Sequence, residues 1–314
     1  RPTRACQLGN AISAQRTARS LDRTASAALV SASSNQRQHD VPDNGTPHEM
    51  RSTVDYQNIL WEQQGGVAIL TLNRPDALNA LNSPHLIELN HAVERARYDD
   101  SVRCLVITGA GRGFCSGADV KEWGAGHADD EPSPSWIDLA HALISRIYRL
   151  PKPVIAAVNG VAVGAGCDMT LASDLRIAST KARFGQAGIR LGYCPDAGGS
   201  YLLPRLIGEA RAMEMIYTGR IIEADEANSY GLLNRLVEPD DLMPTALELA
   251  ERLAKGPTLA IGLAKENIRQ NAQLSIEDAL RNERRSGEIC GKSEDAKEGL
   301  AATLERREAN FKGQ

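Results

Sequence analysis

Two aspartates stand in glycine-rich surroundings, Asp168 in VGAGCD and Asp196 in CPDAGG. A carboxylate held in an apolar pocket has its pKa raised towards the range in which it takes up and returns protons. Glycine-rich turns let backbone approach a ligand closely, with N–H groups that need no rearrangement to meet a developing negative charge. Two such turns, each carrying one acid, describe a pocket where amides and carboxylates meet, and an enzyme is the expectation. Each aspartate also has a structural reading. Asp168 opens what reads as a helix, whose dipole favours a negative charge there. Asp196 follows Pro195, a pairing that starts turns.

Charge and composition narrow the partners. The 314-residue chain has a formal net charge of −4 and a pI near 5.9. It lacks the basic stripe that draws proteins to nucleic acid or anionic membranes. The six cysteines, at 6, 104, 115, 167, 194 and 290, form no CxxC pair and read as buried reduced thiols. The six histidines show no HxxxH or HExxH spacing, so no metal and no other cofactor is assigned. No uncharged apolar run reaches the roughly 18 residues of a membrane helix.

The elements that must position the aspartates can be read along the chain. Residues 1–50, rich in Ser, Arg, Ala and Gln, read as a disordered extension. A cytoplasmic protein is expected, or one of the mitochondrial matrix if that extension serves as a transit segment. ILWEQQGGVAILTL reads as a hairpin about Gly65-Gly66. A helix over 83–98 takes Ser83 as N-cap and Pro84 as its first residue. RCLVITG is a strand, 137–150 a helix after an acidic insertion, and the run from Pro153 through VIAAVNGVAV is apolar and strand-like. LRIAS, KARFG and SYLLPRLIG continue the alternation, which implies βα units with crossover connections. From Leu242 the chain is helical, with too many leucines for a solvated tail, and is expected to pack on its own core or on a neighbouring subunit.

Taken in order, LTLNRPDALNAL, GFCSGADVKE, KPVIAAVNGVAVGAGCDMTLASDLRIAS, FGQAGIRLGYCPDAGGSYLLPRLIG and KEGLAATLERREANFKGQ resemble the enoyl-CoA hydratase/isomerase (crotonase) superfamily. The resemblance implies an α/β fold, a crotonase-like ββα spiral core over 51–241, with a C-terminal helical trimerisation region over 242–314. It implies a homotrimer or dimer of trimers, and an acyl-CoA thioester as substrate, the coenzyme being part of that substrate. The enolate formed from such a thioester would be held by the backbone amides of Ala118 and Ala165, with Gly117, Gly164 and Gly166 permitting the turns. Ala77, Asp119, Val120 and Lys121 would lie along the CoA, and Arg306 would reach a neighbouring subunit's substrate.

The resemblance leaves the reaction open, and individual residues bear on it. Hydratases of the superfamily place water between two glutamates; this chain has Asp168 at one position and Gly188, in FGQAG, at the other. It offers Asp196 instead, where isomerases of the superfamily often carry an aspartate. The expectation is therefore a double-bond shift in which Asp196 moves the proton and Asp168 is its partner or positions water. Gly188 is expected to open room beside the acyl chain. A hydratase working with Asp168 alone is the first alternative. A non-catalytic RNA-binding or scaffold protein of the same fold is the second, opposed by the acidic pI.

Overall fold

The apolar run that reads as one strand after Pro153 is two, and they belong to different sheets. The computed structural model describes residues 54–124 and 134–314; the extension assigned to residues 1–50 and most of the acidic insertion lie outside the described residues. Strand β5 (Val154–Val158) runs in a six-stranded sheet and β6 (Val161–Val163) in a four-stranded one. The switch occurs at Asn159-Gly160. A Cβ on Gly160 would stand 2.1 Å from the Arg112 carbonyl oxygen, so only glycine lets the crossing backbones come this close.

The same division recurs along the chain. β3 (Cys104–Gly109) lies in the large sheet and β4 (Gly113–Cys115) in the small one; β7 (Leu175–Ser179) and β8 (Arg183–Gly185) divide in the same way. The large sheet has the order β1-β2-β3-β5-β7-β10, where β1 (Ile59–Gln64) and β2 (Val67–Leu72) form the expected antiparallel hairpin and β10 (Arg235–Val237) closes the far edge. From β2 to β10 the pairs are parallel. The small sheet runs β4-β6-β8-β9, with β9 (Ile221–Glu223) antiparallel to β8. Helices follow the strand pairs, giving repeated ββα turns.

Both faces of the large sheet are covered, as the unbroken apolar strands require. Alternate residues such as Leu105, Ile107, Ala156 and Val158 face a core with helices α1 (Ser83–Tyr98) and α3 (Trp136–Arg149). Their neighbours Cys104, Val106, Ile155 and Ala157 face helix α8 (Leu242–Ala254) through Leu242, Ala246, Leu249 and Ala250. Helix α1 begins one residue differently from expectation. Asn82, not Ser83, is the N-cap, its side-chain oxygen accepting from the His85 amide at 3.0 Å, and Pro84 falls within the first turn. Ser83 is taken up otherwise: its hydroxyl and amide bond Glu122 of the short helix α2 (Val120–Gly124), at 2.6 and 3.0 Å. Cys104, Cys115 and Cys167 are the buried thiols expected, whereas Cys194 is exposed.

Helix α4 (Ala165–Ala172) has every residue buried. Such a helix cannot leave its last carbonyls to water, and two arginines supply donors. Arg176, 6% exposed, bonds the Thr170 and Ser173 carbonyls at 3.1 and 2.9 Å, and the Leu232 carbonyl at 2.7 Å. Burial depresses its pKa to about 10, so it stays cationic at neutral pH. Arg269 reaches the Ala172 carbonyl at 3.1 Å from helix α9 (Thr258–Asn271) and pairs with Asp174 at 2.6 Å. Lys265 of the same helix joins Asp174 at 2.8 Å, tying α9 to the sheet.

Two more helices, α10 (Ile276–Cys290) and α11 (Glu294–Glu305), complete the C-terminal region, with Ile276, Leu280, Leu300 and Leu304 exposed. Among the described residues no helix is long and apolar enough to cross a membrane. Helices α5 (Gly199–Ile207), α6 (Glu209–Thr218) and α7 (Ala224–Ser229) lie between β8 and β10 in sequence.

Two stability changes are expected. Arg176→Met leaves three buried carbonyls without their charged donor and should cost about 3 kcal/mol. Gly160→Ala forces its Cβ into backbone and should cost about 2 kcal/mol. Urea denaturation followed by circular dichroism checks both; a midpoint unchanged from the parent would refute either account.

Candidate active site

The glycine turns that the resemblance assigns to the enolate, CSGAD and VGAG, abut in space. Gly117 has φ +94° and Gly164 φ +55°, both in the region that favours glycine. A Cβ on Gly117 would fall 2.8 Å from the Val163 carbonyl oxygen and 3.7 Å from the Ala165 nitrogen. Behind them, a Cβ on Gly166 would fall 2.3 Å from the Cys115 carbonyl oxygen, so α4 lies hard against β4. Glycine at these positions is what allows the turn after β4 to meet the start of α4.

The amides that follow these glycines are free for a ligand. Ala118 makes an isolated parallel bridge with Leu81 through its neighbours: the Leu81 amide donates to the Gly117 carbonyl at 2.8 Å and the Asp119 amide to the Leu81 carbonyl at 3.0 Å. That alternation turns the Ala118 N–H to the opposite side. Ala165 is the first residue of α4, where an N–H has no intrahelical partner. Among the described residues neither amide has an acceptor. Two unpaired donors on adjoining turns, one of them at a helix N-terminus, suit an anionic oxygen.

The loop that carries Ala118 is braced by residues that sequence reading did not single out. Arg74 pairs with Asp119 at 3.0 Å and also reaches the Ala80 carbonyl. Asn79, fully buried with φ +56°, donates to the Ala110 and Gly113 carbonyls at 3.0 and 2.9 Å and accepts from the Arg74 amide at 2.8 Å. Both lie in NRPDALNAL, and the asparagine at a tight turn, tolerant of the left-handed region, was the signal available. Asp119 is thus committed to Arg74. Ala77 is half-buried in a short 3₁₀ turn, and its carbonyl accepts a long bond from the Ser116 hydroxyl at 3.5 Å. Val120 and Lys121 are exposed beyond the loop, and Arg306, with φ +55°, is an exposed C-cap at the end of α11.

Asp168 lies one turn into α4 and is 1% exposed. Burial, with Asp196 adding repulsion, pushes its pKa well above the ordinary carboxylate value, while a hydrogen bond from Gln186 opposes the shift. Asp196 is half-buried on the loop before α5, so the structure brings the two acids close enough to interact. The carbonyl of Asp196 accepts from His141 Nε2 of α3 at 2.6 Å, which pins that loop. Nothing in the local sequence linked His141 to a loop 55 residues away.

Gly188 sits in a 3₁₀ turn (Ala187–Leu191), and its carbonyl accepts from the Tyr193 amide at 3.1 Å. A Cβ there would stand 3.2 Å from the Tyr193 carbonyl oxygen. The backbone of Tyr193 therefore borders the space expected beside Gly188. An open cavity of about 380 Å³ flanks the Asp196 loop instead, lined by His141, Ile144, Tyr148, Ala197, Gly198 and Tyr201 among others.

Comparisons with known proteins place the chain in a family. Residues 62–314 match the family model described as enoyl-CoA hydratase/isomerase. A short-chain-enoyl-CoA hydratase of Clostridium acetobutylicum is 39% identical over 255 residues, 81% of this chain and 97% of that protein. A 1,2-epoxyphenylacetyl-CoA isomerase of Escherichia coli is 39% identical over 257 residues, 81% of this chain and 98% of that protein. The crystal structure of an enoyl-CoA hydratase from Bacillus anthracis superposes with a TM-score of 0.78 at 37% identity, covering 82% of this chain and all of that one. With the ββα architecture and the paired glycine turns, these identities establish that the chain is an acyl-CoA enzyme belonging to the enoyl-CoA hydratase/isomerase family.

Proposed function

We propose that this enzyme shifts a double bond within an enoyl-CoA. The observation that carries the reading is a buried Asp168 within electrostatic reach of Asp196, while the position of a second hydratase acid holds Gly188. Asp196 as carboxylate removes a proton from the carbon α or γ to the thioester carbonyl. The electron pair moves onto the thioester oxygen, which accepts from the Ala118 and Ala165 amides; each such donor is worth about 3 kcal/mol in the transition state. The dienolate then collapses, and the proton returns to the other end of the conjugated system. Atoms balance without water or a redox partner. Burial drives Asp168 towards its neutral form, which suits it as the proton-holding partner of Asp196.

Hydration is the second reading, favoured by the hydratase names of relatives such as the C. acetobutylicum protein. There the Asp168–Asp196 pair would hold the attacking water. Incubation with 2-enoyl, 3-enoyl and dienoyl-CoA esters separates the two by mass: hydration adds a water and isomerisation adds nothing. The acyl-CoA itself would run past Ala77, Val120 and Lys121, with Gly164 and Gly188 at its acyl end.

The exposed apolar residues of α10 and α11 support assembly through the C-terminal helices as a homotrimer or dimer of trimers. Arg306 would then meet a phosphate of the neighbour's CoA. Sedimentation equilibrium should give three or six times the 33.9 kDa chain mass, and a monomer would overturn the assembly.

Asp196→Asn should lower kcat for isomerisation at least a hundredfold, the usual scale of a general base, with CoA-ester binding nearly unchanged. Full turnover by that variant would sink the assignment. Asp168→Asn should lose activity yet gain thermal stability at neutral pH. The sign follows from linkage: a carboxyl whose native pKa is raised stabilises the fold below its unfolded value and loses that contribution as pH rises through the native one. A neutral amide escapes the loss. A melting temperature below the parent's at pH 8 would contradict this.

A further inference from the structure

Gln186 is 3% exposed and follows strand β8, yet its side chain points at another element. Its Nε2 donates to Asp168 Oδ1 at 2.5 Å, and no other donor reaches that carboxyl among the described residues. The start of α5 covers the pair. A Cβ added to Gly199 would lie 2.6 Å from both Asp168 Oδ1 and Gln186 Nε2, inside contact distance of each. Gly199 has no left-handed φ to explain the glycine, so what demands it is the space above this hydrogen bond. Three segments distant in sequence therefore converge on one oxygen atom.

We propose that Gln186 is a positioning residue that claims Oδ1 of Asp168, leaving Oδ2 as the oxygen that carries a proton in the reaction, and that Gly199 preserves the space for this arrangement. The inference rests on the proposed use of Asp168 and deepens it. A carboxyl with both oxygens unbonded would rotate about χ2 and offer its proton in several directions. One bonded to an amide N–H through Oδ1 keeps that oxygen as acceptor, so the proton resides on Oδ2. Gln186 also weakens the upward shift of the Asp168 pKa, which burial produces and Asp196 increases. The Cys167 thiol, next to Asp168 in the helix, is pushed up by burial, with the Arg176 guanidinium opposing that shift. His141, from α3, meets the Asp196 backbone and not Asp168.

The test uses the full-length enzyme and two readouts, steady-state kinetics and the carboxylic C=O band in pH-difference infrared spectra. The band belonging to Asp168 is the one missing in Asp168→Asn. In Gln186→Met, which keeps length and loses the donor, that band should move to higher frequency and its titration should rise by about one pH unit. The kcat should fall about tenfold or more, with KM for the CoA ester within about twofold, since ground-state contacts are untouched. Gly199→Ala, which displaces the pair without altering Gln186, should reproduce the band shift and the fall in kcat. Gln186→Glu should lower kcat as well and raise the titration further. If the Asp168 band is unmoved in both Gln186→Met and Gly199→Ala while Asp168→Asn is inactive, the positioning role is overturned and the function stands. If Asp168→Asn turns over like the parent, the use of Asp168 fails, and this role for Gln186 fails with it.

Discussion

The structure depends on one short helix in which every residue is buried. α4 is eight residues long and fully buried, so its orientation is set by how its two ends are satisfied. At its C-terminus Arg176 and Arg269 take up carbonyls that solvent cannot reach. Its N-terminus is left with an unpaired amide, and that amide faces the turn after β4. The contact of Gly166 with the Cys115 carbonyl then fixes α4 against the strand at a separation that any side chain would exceed. Close backbone approach and end-capping together convert a weak local helix former, in which a glycine occupies the second position, into the rigid floor of the site.

That floor explains how two acids of the same chemical type come to differ. Asp168 shares the burial of α4 and is driven towards its neutral form. Asp196 is held on a half-buried loop. One residue is fixed by helix geometry and the other by a backbone carbonyl bonded to His141. The two acids come within electrostatic reach because α3, α4 and the loop before α5 pack on one another, and none of these elements carries both.

The outer helices do different work. α8 covers the second face of the sheet, and α9 is locked to it by the Asp174–Lys265–Arg269 cluster. Burial holds the Lys265 pKa down to about 8 even beside Asp174, so this cluster is tuned by desolvation as much as by charge. Beyond it, α10 and α11 carry leucines and isoleucines outward, a surface pattern that suits subunit contact more than catalysis.

The sequence alone determined the alternation of strands and helices, the hairpin, the two glycine-rich turns and the acids they carry, because these rest on local periodicity and on residue types with few conformational roles. Only the tertiary structure decided that 154–163 splits between two sheets, for an apolar run does not say which side of a crossing it occupies. It moved the cap of α1 to Asn82, a one-residue choice settled by which neighbouring side chain was already bound to Glu122. It also brought Gln186 and Gly199 onto Asp168 and His141 onto the Asp196 loop. Those contacts join residues from separate turns of the spiral, and proximity of that kind is produced by packing and leaves no periodic trace in the chain.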